Sequence, residues 1–455
     1  MESIIRWLKQ SGYGEVDGRI YRHIDIWRSW YTGKVKDFHC YRQYNGKRSI
    51  SRERRSMGMA KTVAEDWANL LLNERVEIEI DDQSVSDSVH AVLDENDFRT
   101  RANQLIELTF ALGTGAFVEF LDAGNIVIDY IRADMIYPLR EVNGRVIECA
   151  FGSERVAGET RHVYLNIHRL DERGLYVVEN HLLKEGRDGG LYEESLPDGL
   201  TPVWETGSSR PMFQIVRPNI VNNIALGSPM GISCYANAID QLQGVDLVFD
   251  SWCNEFRLGK KRIIVPLSYA QVQMEEDGVS RPVFDDNDTE FYAVNLGENA
   301  AQGLQDINME IRSDAHETGL KTALNALSVK CGMGSGRYRL EEQNLTTATQ
   351  VISARSELYQ NVRKHEILLR SALDGLCRAV AALLGLRDDF GLEVQFDDSI
   401  IEDTASERQH DLQEVSAGLM QPWEFRARWY GEDEETAKKA TERAALRGAD
   451  IYGLQ

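Results

Sequence analysis

The chain has 455 residues, with 51 Lys and Arg against 73 Asp and Glu and a formal net charge of −22. That balance argues against a protein whose whole surface grips nucleic acid, because the average field repels phosphate. Apolar residues at 42% and charged residues at 27% are ordinary for a globular protein, and the length allows roughly two to four domain-sized units.

In chain order, residues 1–61 come first, with fourteen Lys and Arg against six Asp and Glu. This local basic excess in an acidic chain reads as a solvated face or as a contact surface. The first 75 residues look helical with loops. Val63, Trp67, Leu70 and Leu71 fall on one helical face, and Val76, Ile78 and Ile80 alternate with Glu77 and Glu79 as in a half-buried strand. Residues 84–113 return to helix. From about 115 to 218 the text is strand-rich, and Asp122-Ala123-Gly124-Asn125 joins two β-rich runs as a hairpin signal.

A helix is expected from SPMGISCYANAIDQLQ onward. Pro229 sits near its start, where a missing N–H costs little. Ala236, Ile239, Leu242, Phe249 and Trp252 follow at roughly helical spacing. The polar, mixed text after it reads as a compact insertion. The next helix, NMEIRSDAHETGLKTALNALSVK, carries an apolar stripe of Leu320, Ala323, Leu324 and Leu327. After CGMGSGRYR a third helix runs from about 347 to 386, with Val351, Leu358, Val362, Leu369, Leu373, Leu376 and Val380 on one face. No proline lies between Pro282 and Pro422, so this helix can extend for about 60 Å at 1.5 Å per residue. FGLEVQFDDSI reads as a short strand, followed by acidic helices.

The six cysteines, Cys40, Cys149, Cys234, Cys253, Cys331 and Cys377, stand singly. That predicts reduced intracellular thiols rather than a disulfide framework. The opening MESIIRWLKQSGYGEVDGR lacks the apolar core of a signal peptide, and no apolar run reaches the ~18 residues that span a bilayer. A cytoplasmic site of synthesis and no membrane partner are expected, and the sequons at Asn287 and Asn344 are then chance matches.

The chemistry-bearing motifs are incomplete. Gly332-x-Gly334-x-Gly336 runs into Arg337 and Tyr338, so it lacks the Walker lysine, and a helix rather than a strand precedes it. Asp389-Phe390-Gly391 spells the kinase triplet without the other kinase motifs. The acidic run from Asp285 to Glu290 lacks the glycine of a calcium loop. The histidines are dispersed, with no metal-ligand spacing. No catalytic residue, cofactor or metal is expected. The alternative is a nucleotide-dependent enzyme using the Gly332–Gly336 loop.

The informative feature is an order of parts: a helix out, a small module, a helix back, a glycine loop, then a very long helix. Such a helix pair buries little surface alone. It makes sense where copies pack side by side around a channel, with the loop pointing inward.

The stretches GAFVEFLDAGNIVIDYIRADMIYPL, RPNIVNNIALGSPMGISCYANAIDQLQGVDLVFDSWCNEFRLGKKRIIV, LSVKCGMGSGRYRLEEQNLTTATQVIS and VQFDDSIIEDTASERQHDLQEVSAGLMQPWEFRARWYG carry a resemblance. In that order, the chain resembles the portal proteins of tailed bacteriophages, in the branch typical of long-tailed phages of Gram-positive hosts. The resemblance implies an α+β portal fold. It places a strand-rich wing at 1–228 and an outgoing stem helix at 229–258. A small α/β clip follows at 259–305, then a returning stem helix at 306–330 and a tunnel loop at 331–346. A long wing helix at 347–386 and a short crown at 387–455 complete it. It further implies a dodecameric ring at one capsid vertex of the virion, assembled in the host cytoplasm. The ring would pass double-stranded DNA during packaging and ejection, and would dock the large terminase subunit and the head–tail adaptor. Further partners would be the major capsid protein and scaffold.

An acidic channel keeps DNA centred, and a few cations on a loop touch phosphates transiently. Lys330, Arg337 and Arg339 are the candidates, with Tyr338 as a packing aid and Gly332, Gly334 and Gly336 for backbone freedom. The arginines equally suit pairing with Glu341, Glu342 or a neighbouring subunit. In the clip, Lys260, Lys261, Arg262, Asp285, Asp286, Asp288 and Glu290 are the candidates for partner binding, or for pairing around the ring. Arg52, Arg54 and Arg55 would face a neighbouring copy, the coat protein or the scaffold.

Overall fold

In the computed structural model the chain is mixed α and β, compatible with the α+β expectation. The structure describes residues 1–44, 46, 48–158, 160–259, 262–266, 272–274, 280–282, 291–294, 305–307, 310–338, 348–396 and 404–441.

The first part is helical: α1 (Glu2–Gln10), α2 (Arg19–Tyr31) and the one-turn α3 (Lys36–His39) lead into a ribbon of β1 (Cys40–Tyr44) and β2 (Ser49–Glu53). This ribbon lies inside text that reads as helix and loop. Then come α4 (Met59–Leu71), β3 (Glu77–Ile80), α5 (Gln83–Glu95) and α6 (Phe98–Leu112). The stripe expected on α4 is buried, with Val63, Trp67, Leu70 and Leu71 at 3% exposure or less. Asp82 caps α5 by accepting the amides of Ser84 and Val85 at 3.0 and 3.3 Å, two donors the first turn cannot satisfy itself.

The strand-rich region follows as expected. β4 (Gly115–Asp122) and β5 (Asn125–Arg132) form a hairpin paired from Gly115–Arg132 to Asp122–Asn125. Ala123 and Gly124 at its turn both have positive φ, 49° and 89°, the geometry that matches strand twist. After a short 3-10 turn, β6 (Ile136–Val142), β7 (Arg145–Ala157), β8 (Thr160–Leu170), β9 (Tyr176–Glu185) and β10 (Leu191–Glu194) make an antiparallel meander, and β11 (Val203–Glu205) also pairs with β9. Val163, Leu165 and Ile167 of β8 point to one face and are fully buried, as the period of two demands. β12 (Phe213–Val216) returns beside β4, so a second sheet has the order β12-β4-β5. That sheet ends at β5, where the side-chain amide of Asn96 stands in for a strand. Its nitrogen donates to Ile126 O and its oxygen accepts from Ile128 N, both at 2.9 Å.

Next are α7 (Ile239–Leu258), the short strands β13 (Arg262–Pro266), β14 (Val272–Met274), β15 (Ser280–Pro282), β16 (Phe291–Val294) and β17 (Gln305–Ile307), then α8 (Ser313–Lys330) and α9 (Ala348–Leu383). Helix α7 begins at Ile239, not near Pro229. The donors of the preceding segment are spent on the end of α6 instead of on a helix of its own. Gly231 N donates to Thr114 Oγ1 at 3.0 Å and Cys234 N to Phe110 O at 2.9 Å. The chains cross so closely that a Cβ on Gly231 would lie 2.2 Å from Gly113 O. Helix α8 likewise starts at Ser313, after β17 takes Gln305–Ile307. The long helix α9 has 36 residues, about 54 Å, with Val362, Leu369, Leu373, Leu376 and Val380 buried.

After β18 (Leu392–Gln395) come α10 (Thr404–Ala417) and α11 (Pro422–Tyr430). Residues 1–74 with 78–394 form one compact unit, and the chain from 395 with 75–77 forms another. Within the second, Asp411 of α10 accepts from Trp429 Nε1 at 2.8 Å and pairs with Arg428 at 2.9 Å. Pro422 opens α11 behind a Gln421–Glu424 capping box, which suits the first turn of a helix.

Candidate functional site

Helices α7 and α8 run antiparallel. Glu255 meets Arg312 in two hydrogen bonds of 2.9 and 2.7 Å, Ser251 meets His316 at 3.2 Å, and Gly319 faces Val248. One number falls as the other rises, which is the signature of antiparallel contact. The Arg312 guanidinium holds the Glu255 carboxyl down to about 2. Between the helices in sequence, β13 pairs parallel with β16 and antiparallel with β17, and β14 pairs with β15. Arg262 opens β13. Lys260, Lys261, Asp285, Asp286, Asp288 and Glu290 lie outside the described residues.

The glycine segment closes α8. Gly332 N donates to Val329 O at 3.1 Å and Met333 N to Ser328 O at 2.9 Å. This is the Schellman pattern, which needs a left-handed residue just past the helix end. Gly332 supplies it with φ +78°, and Gly334 and Gly336 also have positive φ, +73° and +79°. The segment is then tied down. Trp67 Nε1 donates to Cys331 O at 3.3 Å, Asn361 Nδ2 to Gly332 O at 2.9 Å and Ser328 Oγ to Gly334 O at 2.6 Å. Asn325 Oδ1 accepts from Ser335 Oγ at 3.0 Å and from Gly336 N at 2.8 Å. Cys331 and Met333 are buried.

Lys330 is exposed at the end of α8, where the carbonyl end of the helix favours a cation. Arg337 Nε lies 3.5 Å from Asp66 of α4. Burial, then the charge of Asp66, pushes the Tyr338 phenol far above its ordinary range. Arg337 thus faces a carboxylate of the chain's own body, while the buried Tyr338 hydroxyl has no hydrogen-bond partner among the described residues. Arg339, Glu341 and Glu342 lie outside the described residues.

This geometry is wrong for a phosphate loop. The amides of Gly332, Met333 and Gly336 already have acceptors, and the glycines sit at a helix C-terminus, the end whose dipole repels anions. Among the described residues no group of His, Cys, Asp and Glu is placed to hold a metal ion, and no helix is long and apolar enough to cross a membrane.

The basic N-terminal region packs on α7. Asp246, 3% exposed, accepts from Met57 N at 2.7 Å and bonds His39 Nε2 at 2.9 Å. Asp250 accepts from Arg55 N at 3.1 Å. The Arg54 guanidinium bonds Phe38 O and stacks 4.8 and 4.3 Å from the rings of Phe38 and Tyr41. Asp246 and Asp250 escape a reading for sites, although two acids one turn apart on a helix this apolar are a visible signal. Asp66, Asn325 and Asn361 leave no such signal, because their role depends on partners brought from far along the chain.

No curated protein matches this chain. The family model for "Phage portal protein, SPP1 Gp6-like" matches residues 15–445. With the match spanning nearly all of the 455 residues, the chain belongs to the phage portal protein family.

Proposed function

We propose that this portal-family protein assembles as a dodecameric ring at one capsid vertex and forms the channel for double-stranded DNA during packaging and ejection. The observation that carries the reading is the antiparallel pair α7 and α8, with a small sheet between them in sequence and a glycine turn leading toward α9. The tunnel loop begins at this turn, so its near end is fixed to α4 and α9 through Trp67 and Asn361. An acidic chain repels the duplex, and Lys330, Arg337 and Arg339 are the few cations that touch phosphates in passing. Asp66 holds Arg337 when no phosphate is near.

In this reading residues 1–228 are the wing, 229–258 and 306–330 the stem, 259–305 the clip, 331–346 the tunnel loop, 347–386 the wing helix and 387–455 the crown. The clip, with Lys260, Lys261, Arg262, Asp285, Asp286, Asp288 and Glu290, meets the terminase large subunit during packaging and the head–tail adaptor afterwards. Capsid protein and scaffold surround the wing. Native mass spectrometry with end-on electron-microscope averages tests the reading. Rings of about twelve subunits with a central hole are expected, since head-to-tail interfaces that close give cyclic symmetry. A chain that stays monomeric, even with scaffold present, would overturn it.

A further inference from the structure

The ribbon β1–β2 pairs Cys40 with Glu53 and Tyr44 with Ser49, and its residues are exposed or half-buried. A two-stranded ribbon is marginal by itself. This one is anchored at its base, through His39 and Met57 to Asp246 and Arg55 to Asp250. Its far end carries Arg42 and Tyr44, and Tyr44 is 68% exposed. Among the described residues only its hydroxyl is engaged, donating to Gly46 O at 2.9 Å; an aromatic ring left in water, on a ribbon with two open edges, is a surface open to contact.

A groove of about 820 Å³ opens between the β4–β5 hairpin and the meander. Phe120, Phe151 and Trp204 line it, and Leu121 and Leu200 stand on it at 45% and 43% exposure. Asp122 and Asp129 also line it, with no ion-pair partner among the described residues. Two further acids of the lining are already engaged, Glu154 with Arg161 and Glu194 with His162. Arg155 is a cation in the lining. Among the described residues, none of the ribbon of the same chain lines the groove.

We propose that the ribbon of one copy seats in this groove of the adjacent copy, with the Tyr44 ring against the aromatic lining and Arg42 facing Asp122 and Asp129. The inference rests on the ring reading and names a contact that closes it. A second copy suits the ribbon by charge as well as by shape: its sequence carries Arg42, Lys47, Arg48 and Arg52 against the single acid Glu53, the chain from residue 62 onward carries 37 Lys and Arg against 67 Asp and Glu (51 less 14, 73 less 6), and the tip offers an aromatic ring for an aromatic groove. Because the base is fixed to α7, each seated ribbon also ties one subunit's outgoing helix to its neighbour.

The test uses the full chain with Cys40→Ser and Cys253→Ser, the two cysteines that are not buried, and with Gln43→Cys and Leu200→Cys, so that the Tyr44 ring is kept; it is treated with a short bismaleimide after rings have been seen by electron microscopy. A ladder of covalent dimers and higher multimers is expected, absent when either introduced cysteine is left out. A charge-reversed Arg42→Glu chain should lose closed rings, and Asp122→Lys added to it should restore them. Rings that form without a ladder overturn the ribbon contact and leave the ring reading standing. A chain that never associates overturns both. Unchanged rings in Tyr44→Ala, together with a loss of salt-dependent binding to duplex DNA, would make the ribbon a nucleic-acid arm and overturn the proposal.

Discussion

Asp246 holds the imidazole of His39 at 2.9 Å across 207 residues of sequence, and its other oxygen takes the amide of Met57 at 2.7 Å. One buried carboxylate therefore clamps both ends of the segment that carries the β1–β2 ribbon.

Replacing it should release that segment. Asp246→Ala leaves a buried imidazole and a half-buried amide without their acceptor, which costs roughly 3 kcal/mol. Thermal denaturation should show the loss, and limited proteolysis should cut between residues 40 and 56 before the chain melts. Cleavage no faster than in the parent would mean that the segment is held by other contacts.

The Arg337–Asp66 pair separates a structural role from a DNA role. An ion pair this exposed contributes roughly 0–1 kcal/mol, so Asp66→Ala should fold and assemble normally. Arg337→Ala with Arg339→Ala should also assemble, but package or retain less DNA. If Asp66→Ala lowers packaging as much as the double variant does, Arg337 acts by fastening the loop to α4, and the phosphate role fails.

Gly332 occupies left-handed backbone at φ +78°, and an added Cβ would come 3.4 Å from Asn361 Nδ2. Gly332→Ala should lower stability by roughly 1–2 kcal/mol, the cost of that conformation for a residue with a Cβ. Gly334→Pro cannot keep φ +73°, so it must break the Ser328–Gly334 bond. Packaging is expected to suffer more than ring formation. Complete failure to form rings would make the turn an assembly element.

Two buried groups give the stability profile opposite slopes. His168, buried among Phe151 and Phe213, is lowered by burial from its ordinary 6.5 to about 3. Its folded pKa lies below the unfolded one, so stability is full above pH 6.5 and is lost as pH falls toward 3. Glu119 is fully buried, and burial raises its carboxyl well above 4.5. Stability linked to it is full below 4.5 and is lost as pH rises. Melting temperatures across pH 4–9 should show His168→Phe flattening the acid limb and Glu119→Gln the alkaline limb. Curves parallel to the parent's would show that neither group titrates with unfolding.

Local chemistry made part of this fold readable. The Asp-Ala-Gly-Asn turn, the stripe on α4, the alternation at β3 and the proline-free run of α9 all depend on residues a few positions apart. The start of α7 was not readable: Ala236 and Pro229 fit a helix, but Phe110 and Thr114, over a hundred residues earlier, take the amides that a helix would need. The β1–β2 ribbon hid for the opposite reason, since it buries little and so shows no apolar alternation. In the loop, the glycines read as backbone freedom, whereas Gly332, Gly334 and Gly336 hold left-handed positions in a turn fastened by hydrogen bonds. Their anchors Trp67, Asn325 and Asn361 were not legible, because each uses a polar atom that could equally have met water.

The Asn96 amide on the rim of β5 has a consequence for the proposed ring, in which each copy is crowded against others. Bare strand rims recruit each other indiscriminately, and identical rims are the most compatible of all. By presenting its own oxygen and nitrogen to Ile128 and Ile126, Asn96 acts as a built-in stopper that travels with the chain from synthesis onward. Neighbouring subunits are then left to find one another through side-chain surfaces, which can encode a fixed angle, instead of through backbone zippering, which lets strands slide in register and grow without limit.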